Sequence, residues 1–195
     1  MSVIAIIPAR GGSTRIPRKN IRDFMGKPII AYSIEAALES GLFDSIVVST
    51  DDPGIAKVAN EYGAASVLRS AEMSTNDVGT QEVMRHVLRK LFYDDSDIAC
   101  CIYATAPLMS VDDLCRGYQL LNSGNYCRYV FSVGTDPLQD AGQFYWGWVR
   151  AFTSGDPLHE NAIMVPISDD RTCDINTEED WLRAEQMYLA LRGGV

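Results

Sequence analysis

The sequence predicts an α/β fold, a doubly wound and mostly parallel sheet, on three observations. Short apolar runs rich in β-branched residues recur along the chain and read as strands buried on both faces. Between them lie segments with apolar residues at three- and four-residue spacing, which read as amphipathic helices. The two kinds alternate at short intervals, without internal repeats or a low-complexity linker, so right-handed crossovers are expected.

The elements follow in order. Val3 to Ile7 is almost wholly apolar and ends at Pro8, which cannot donate to a sheet ladder. After a loop of small and cationic residues, Gly26-Lys27-Pro28 leads into a helix carrying Ile30, Ile34, Ala37 and Leu38, with Pro28 in its first turn and Gly41 as its stop. Ser45 to Ser49 is a second strand, and Asp52 before Pro53 caps a helix that closes at Tyr62-Gly63. Asp51 and Asp52 could also ligate a metal, but capping explains them. Ala65 to Leu68 is a third strand. Asp77-Val78-Gly79-Thr80 starts a helix with Val83, Met84, Val87, Leu88 and Leu91 as its apolar positions, among which His86 reads as a packed residue rather than a catalyst. Ile98 to Ile102 is the fourth strand. Ser110 caps the next helix, which Asn122-Ser123-Gly124 ends, and Tyr129 to Val133 is the fifth strand. Asp140 to Trp146 reads as a strand with aromatic packing. Thr177 and Asp180 make a capping box for a final helix with Trp181, Ala184, Tyr188 and Leu191 on one face.

Composition sets the class. A chain of 195 residues, 47% hydrophobic and 22% charged, falls in the range of an ordinary soluble protein of one domain. No apolar run reaches the eighteen or so residues of a membrane span, and no signal peptide is recognisable, so a cytoplasmic protein is expected. The net charge of −9 argues against nonspecific binding to nucleic acid or anionic membranes. Of five cysteines, Cys100 and Cys101 are strand neighbours that point to opposite faces. Cys115, Cys127 and Cys173 show no metal spacing, and free thiols are expected throughout.

Charge is not spread evenly. Residues 10 to 27 hold six cations (Arg10, Arg15, Arg18, Lys19, Arg22, Lys27) against the single acid Asp23. They surround the tandem glycines Gly11-Gly12, whose backbone N–H groups can form an anion-binding nest at the end of a buried strand. That combination points to a polyphosphate site. It is neither a Walker loop, lacking Gly-Lys-Ser/Thr, nor a dinucleotide fingerprint, lacking Gly-x-Gly. Far along the chain, Asp174 and Asn176 alternate to one face of an extended segment and offer two oxygens to Mg²⁺.

The run Ile7-Pro8-Ala9-Arg10-Gly11-Gly12-Ser13, followed by Pro17-Arg18-Lys19-Asn20, resembles the signature of the CMP-sugar synthetases, the cytidylyltransferases of acidic sugars. Three further stretches support the resemblance: Leu68 to Ser74, Ala104-Thr105-Ala106-Pro107-Leu108, and Asp140-Ala141-Gly142-Gln143-Phe144-Tyr145-Trp146. The last two look like the pseudaminic acid branch of that family. Thr14 departs from the family's lysine, and Asn176 from its Asp-x-Asp. The six residues Gly134 to Gln139 stand where family members carry a longer insertion, so this is either a short variant or a chain lacking a segment.

The resemblance implies a Rossmann-like sheet of the nucleotidyltransferase (glycosyltransferase-A-like) type. It implies transfer of CMP from CTP to an acidic nine-carbon sugar, with release of pyrophosphate and with Mg²⁺ as cofactor. Ala9, Arg10, Gly11, Gly12, Ser13, Arg15, Arg18 and Lys19 would then hold the phosphates, with Arg10, Lys19 and Asp174 as the catalytic groups. Asn20, Arg69, Thr105 and Ala106 would surround ribose and cytosine. Gln143 and Tyr145 would line the sugar pocket, around a shortened region at 134–160, and Asp174 with Asn176 would carry the metal. Relatives imply a homodimer. A sialic acid synthetase and a nucleotide-binding protein without catalysis are the alternatives.

Overall fold

Alternation along one central strand organises the molecule. The computed structural model describes residues 1–75, 77–123, 127–135 and 139–193. In β1 (Val3–Pro8), Ala5 and Ile7 point into one core while Ile4 and Ile6 point into another on the opposite face. β1 pairs in parallel with β4 (Ser45–Thr50) on one side and β6 (Ile98–Ile102) on the other, and β5 (Ala65–Leu68) extends the sheet beyond β4. On the first face lie α1 (Ile29–Ser40), α2 (Pro53–Glu61) and α4 (Val111–Leu121), and on the second α3 (Thr80–Lys90) and α5 (Val149–Ser154). This is the doubly wound α/β sheet that the sequence predicts.

The caps behave as their side chains dictate. Asp52 accepts from the N–H groups of Gly54 (2.6 Å) and Ile55 (3.3 Å), and Ser110 from that of Asp113 (3.1 Å). Thr177 and Asp180 cap α6 (Glu178–Gly193) reciprocally. Most predicted helix faces are buried, except that Leu38, Leu91 and Leu191 are exposed. Cys100 and Cys101 do face opposite cores as free thiols, and burial pushes both well above the usual thiol range. Gly124 and residues 136–138 lie outside the described residues.

Three elements have no counterpart in the predicted string. A two-strand ribbon, β2 (Asp23–Phe24) with β3 (Lys27–Pro28), precedes α1, so Pro28 stands just before the helix rather than in its first turn. α5 follows β8 (Asp140–Trp148) directly. β9 (Ala162–Ile167) closes the sheet beside β7 (Tyr129–Gly134), with Pro166 tolerated because the strand is at an edge.

The order β5-β4-β1-β6-β8-β7-β9 puts β8 (Asp140–Trp148) between β6 and β7 and antiparallel to both. The linker from β7 to β8 dictates this, since a parallel return would need a crossover of about a dozen residues or more. A third, smaller core packs α6 under the ribbon. In it Phe24 meets Tyr32, Trp181 and Tyr188 edge-on at centroid distances of 5.5 to 5.7 Å.

α4 passes over β8 at Gly117, where a Cβ would fall 2.6 Å from Trp146 Cδ1 and 2.9 Å from Phe144 Cε2. A helix glycine exchanged for alanine ordinarily gains about 1 kcal/mol. Here overpacking wins, and Gly117→Ala is expected to lose about 1–3 kcal/mol in urea unfolding. A variant as stable as the parent would contradict the packing described.

Candidate active site

The carboxyl ends of the parallel strands converge, which is where open α/β sheets bind ligands. The glycine loop leaves β1, Asp51 follows β4, Arg69 follows β5, Thr105 and Ala106 follow β6, and the 172–176 segment follows β9. Because β8 runs backwards, its first residues, Asp140 to Gln143, also reach this edge.

Specific contacts hold the loop in place. Gly11 N–H donates to Asp51 Oδ1 at 2.9 Å, and Ser13 N–H donates back to Gly11 O at 3.0 Å. Gly11 lies so close to Asp52 that a Cβ would stand 2.8 Å from its Cβ and Oδ2, whereas a Cβ on Gly12 would meet nothing within 4 Å. Arg18 takes a left-handed conformation (φ 52°) that turns the chain into the short 3₁₀ turn Lys19–Ile21. Its guanidinium reaches the start of α2 beside Asp52.

Asn20, expected near the ribose, is 8% exposed and donates its Nδ2 to Arg10 O at 2.9 Å. It therefore braces the loop from behind. Of the six cations in the window, two belong to the fold. Arg22 grips both carboxylate oxygens of Glu178 and covers the Trp181 ring, and Lys27 pairs with Glu35 over Tyr32.

Arg10, Arg15, Arg18 and Lys19 remain at the loop itself. The 174–176 segment lies directly against it: Lys19 Nζ donates to Ile175 O at 2.7 Å, and Arg15 Nη2 donates to Asn176 Oδ1 at 2.9 Å. Burial lowers the Lys19 pKa, opposed by Asp174 and reinforced by Arg15 and Arg10. Asp174 is thus near enough to Lys19 to stabilise its charged form. The glycine nest and the distant carboxylate share one side of the sheet.

Arg69 is 9% exposed, with Nη1 donating to Met73 O at 3.2 Å and a buried Nε that has no partner among the described residues. Burial lowers its pKa, against the field of Asp51 and with that of Arg10. The arginine therefore belongs to the same cluster as the loop. Thr105 is half-buried and Ala106 buried in the turn after β6.

Three expectations are corrected. Gln143 and Tyr145 do not line an open pocket, because β8 lies inside the sheet and is buried from Gln143 to Gly147. Tyr145 is 2% exposed, stacked on Phe131 at 5.5 Å, and Gln143 donates its Nε2 to Arg171 O at 2.6 Å. Asn176 does not present its oxygen to a metal, since Oδ1 is taken by Arg15 while Nδ2 donates to Asp174 Oδ2 at 2.5 Å. A metal shared with Asp174 would require the amide to flip against the guanidinium. Among the described residues no three acidic, histidine or cysteine side chains are grouped as metal ligands. Asp174 itself is exposed.

Sequence reasoning did not single out Asp140 or His159, and it gave Asp51 no place in the loop. Asp140 accepts from Gly142 N–H at 2.8 Å, and its pKa is raised by burial and by Asp174, against the pull of that N–H and of His159. Gly142 (φ 61°) permits the approach, its Cβ position lying 3.8 Å from Asp174 Oδ1. A cavity of about 280 Å³ opens beside Asp174, with Gly134, Thr172 and Arg183 in its wall. The position of Asp51 right after a parallel strand was the available signal. His159 had none, lying in a stretch without periodicity.

Residues 4–172 match the family model described as Cytidylyltransferase, and the chain belongs to that family. It is 36% identical to the pseudaminic acid cytidylyltransferase of Campylobacter jejuni, over an alignment of 227 positions covering 96% of this chain and 97% of the relative. Since 227 exceeds the 195 residues here, the relative carries positions without a counterpart in this chain. An N-acylneuraminate cytidylyltransferase of Escherichia coli is 34% identical over 131 residues, 67% of this chain and 31% of the relative. Among solved structures, CMP:2-keto-3-deoxy-manno-octonic acid synthetase complexed with CTP superposes with a TM-score of 0.81 at 15% identity, covering 98% of this chain and 100% of that one. At that identity the likeness is one of fold.

The two glycines make different steric demands. Gly11→Ala is expected to shift amide NMR resonances throughout residues 9–16 and at Asp51 and Asp52. Gly12→Ala should shift only its immediate neighbours. Equal, local shifts for both would refute the close approach of Gly11 to Asp52.

Proposed function

We propose that this protein transfers CMP from CTP to an acidic nonulosonic sugar, with pseudaminic acid as the favoured acceptor, and releases pyrophosphate. The observation that carries the reading is the meeting of a cationic glycine loop with the Asp174 segment, through Lys19 to Ile175 and Arg15 to Asn176. The full-length similarity to the Campylobacter jejuni enzyme supports the choice of sugar. The protein would act as one cytidylyltransferase domain in the cytoplasm, as a homodimer. No helix among the described residues is long and apolar enough to cross a membrane.

In this reading the chain contributes position and charge rather than a covalent intermediate. Gly12 offers its backbone N–H to the β- and γ-phosphates, those of Gly11 and Ser13 being taken within the protein, and Arg10, Arg15, Arg18 and Lys19 neutralise them. Asn20 keeps Arg10 in place through its carbonyl. Arg69, half spent on Met73 O, retains a buried Nε–H for the nucleoside, with Thr105 and Ala106 alongside. The acceptor sugar would enter the cavity beside Asp174, turning its carboxylate to Arg183 and away from Asp169 and Asp180 in the same wall.

A single exposed carboxylate fits a divalent cation that takes its other oxygens from triphosphate and water, as Mg²⁺ commonly does. Asp174 would hold it, and its chemistry there is polarisation of the α-phosphate.

Incubation with CTP, Mg²⁺ and either pseudaminic or sialic acid, with pyrophosphate as readout, tests the reading. Release with pseudaminic acid is expected. Release with sialic acid alone would shift the acceptor, and CTP binding without release from either would favour a non-catalytic nucleotide binder. Asp174→Ala is expected to abolish turnover while leaving metal-free CTP affinity within about threefold. Unchanged turnover would remove Asp174 from the site.

A further inference from the structure

One amide separates the loop's Arg15 from the carboxylate of Asp174. Asn176 Oδ1 accepts from Arg15 Nη2 at 2.9 Å, and its Nδ2 donates to Asp174 Oδ2 at 2.5 Å. Both partners fix the amide in the same sense, because a flip would set NH₂ against guanidinium and oxygen against carboxylate. The backbone is pinned as well: Asn176 N–H donates to Asp180 Oδ2 at 3.0 Å, and Ile175 O receives Lys19 Nζ at 2.7 Å. Four contacts thus hold a neutral group between a cation and an anion.

We propose that Asn176 is a positioning residue that keeps Arg15 and Asp174 apart as two undiminished charges, so that Arg15 meets the triphosphate at full strength. This rests on the reading of the glycine loop as a CTP site. A guanidinium paired directly with a carboxylate loses much of its field at a third group, since the pair presents a dipole rather than a charge. A guanidinium held by an amide oxygen is oriented without being neutralised. The same amide turns Asp174 Oδ2 toward the loop and leaves Oδ1 for whatever Asp174 serves. Without the amide, the long and exposed Arg15 side chain can reach Asp174 itself.

The test is calorimetric titration of CTP into the full chain, in EDTA at low ionic strength. Asn176→Ala is expected to weaken CTP binding about three- to fivefold, the scale of one redirected surface charge. In an Arg15→Gln background the same substitution should change affinity by less than about twofold, because Asn176 acts through Arg15. Asn176→Asp, isosteric and so expected to fold as the parent does, should lose at least as much as Asn176→Ala. Parent-like affinity in either single variant, or an equal loss in the Arg15→Gln background, overturns the proposal. A parent protein that binds no CTP overturns the CTP-site reading and this one with it, whereas a binding parent with unmoved variants overturns this one alone.

Discussion

Four cations within ten residues, Arg10 to Lys19, repel one another, and a loop that gathers them must be held from outside. The structure meets that constraint with four contacts from three parts of the chain. Asp51 takes the N–H of Gly11, Asn20 the carbonyl of Arg10, Ile175 the ammonium of Lys19, and Asn176 the guanidinium of Arg15. Several of these are neutral carbonyl or amide groups rather than carboxylates. Neutral acceptors orient a cation while leaving its charge for a ligand, and a phosphate-binding loop requires both. The lowered pKa of Lys19 shows the same tension, with burial and two arginines opposed by Asp174.

The holding segment is itself secured by hydrophobic packing. Ile175 is fully buried in the third core with Ile16, Phe24 and Trp181. Arg22 adds a tie to the first turn of α6 through Glu178. The small aromatic core therefore does more than fasten a terminal helix to the sheet. It sets the distance between the loop after β1 and the carboxylate after β9, two places far apart in sequence. Any loosening of α6 moves Asp174 relative to the loop.

The insertion of β8 between β6 and β7 has an equally direct effect on the far side. It brings Asp140 and Gly142 up to Asp174 while turning Gln143 and Tyr145 into the protein. Residues that resemble a sugar-binding motif thus shape the wall from behind.

Much of the fold was legible in the sequence, because period and capping are local properties. Five strands, five of the helices and the caps at Asp52, Ser110 and Thr177 follow from residues within a few positions of each other. The cationic glycine loop was legible for the same reason, as a charge anomaly at the end of an apolar run. The antiparallel direction of β8, the edge strand β9 and α5 escaped, though the six-residue interval after Val133 already excluded a parallel crossover.

What the sequence determined by itself is the class of the sheet, the cationic glycine loop and the carboxylate to be brought to it. Only the tertiary structure decided which groups those charges meet: that Asn20 and Gln143 brace rather than face a ligand, that Arg22 and Lys27 serve the fold, and that Asn176 sits between Arg15 and Asp174. The physical reason is that a hydrogen-bond partner 161 residues away leaves no trace in local spacing. It exists only once the strands have placed their carboxyl ends side by side.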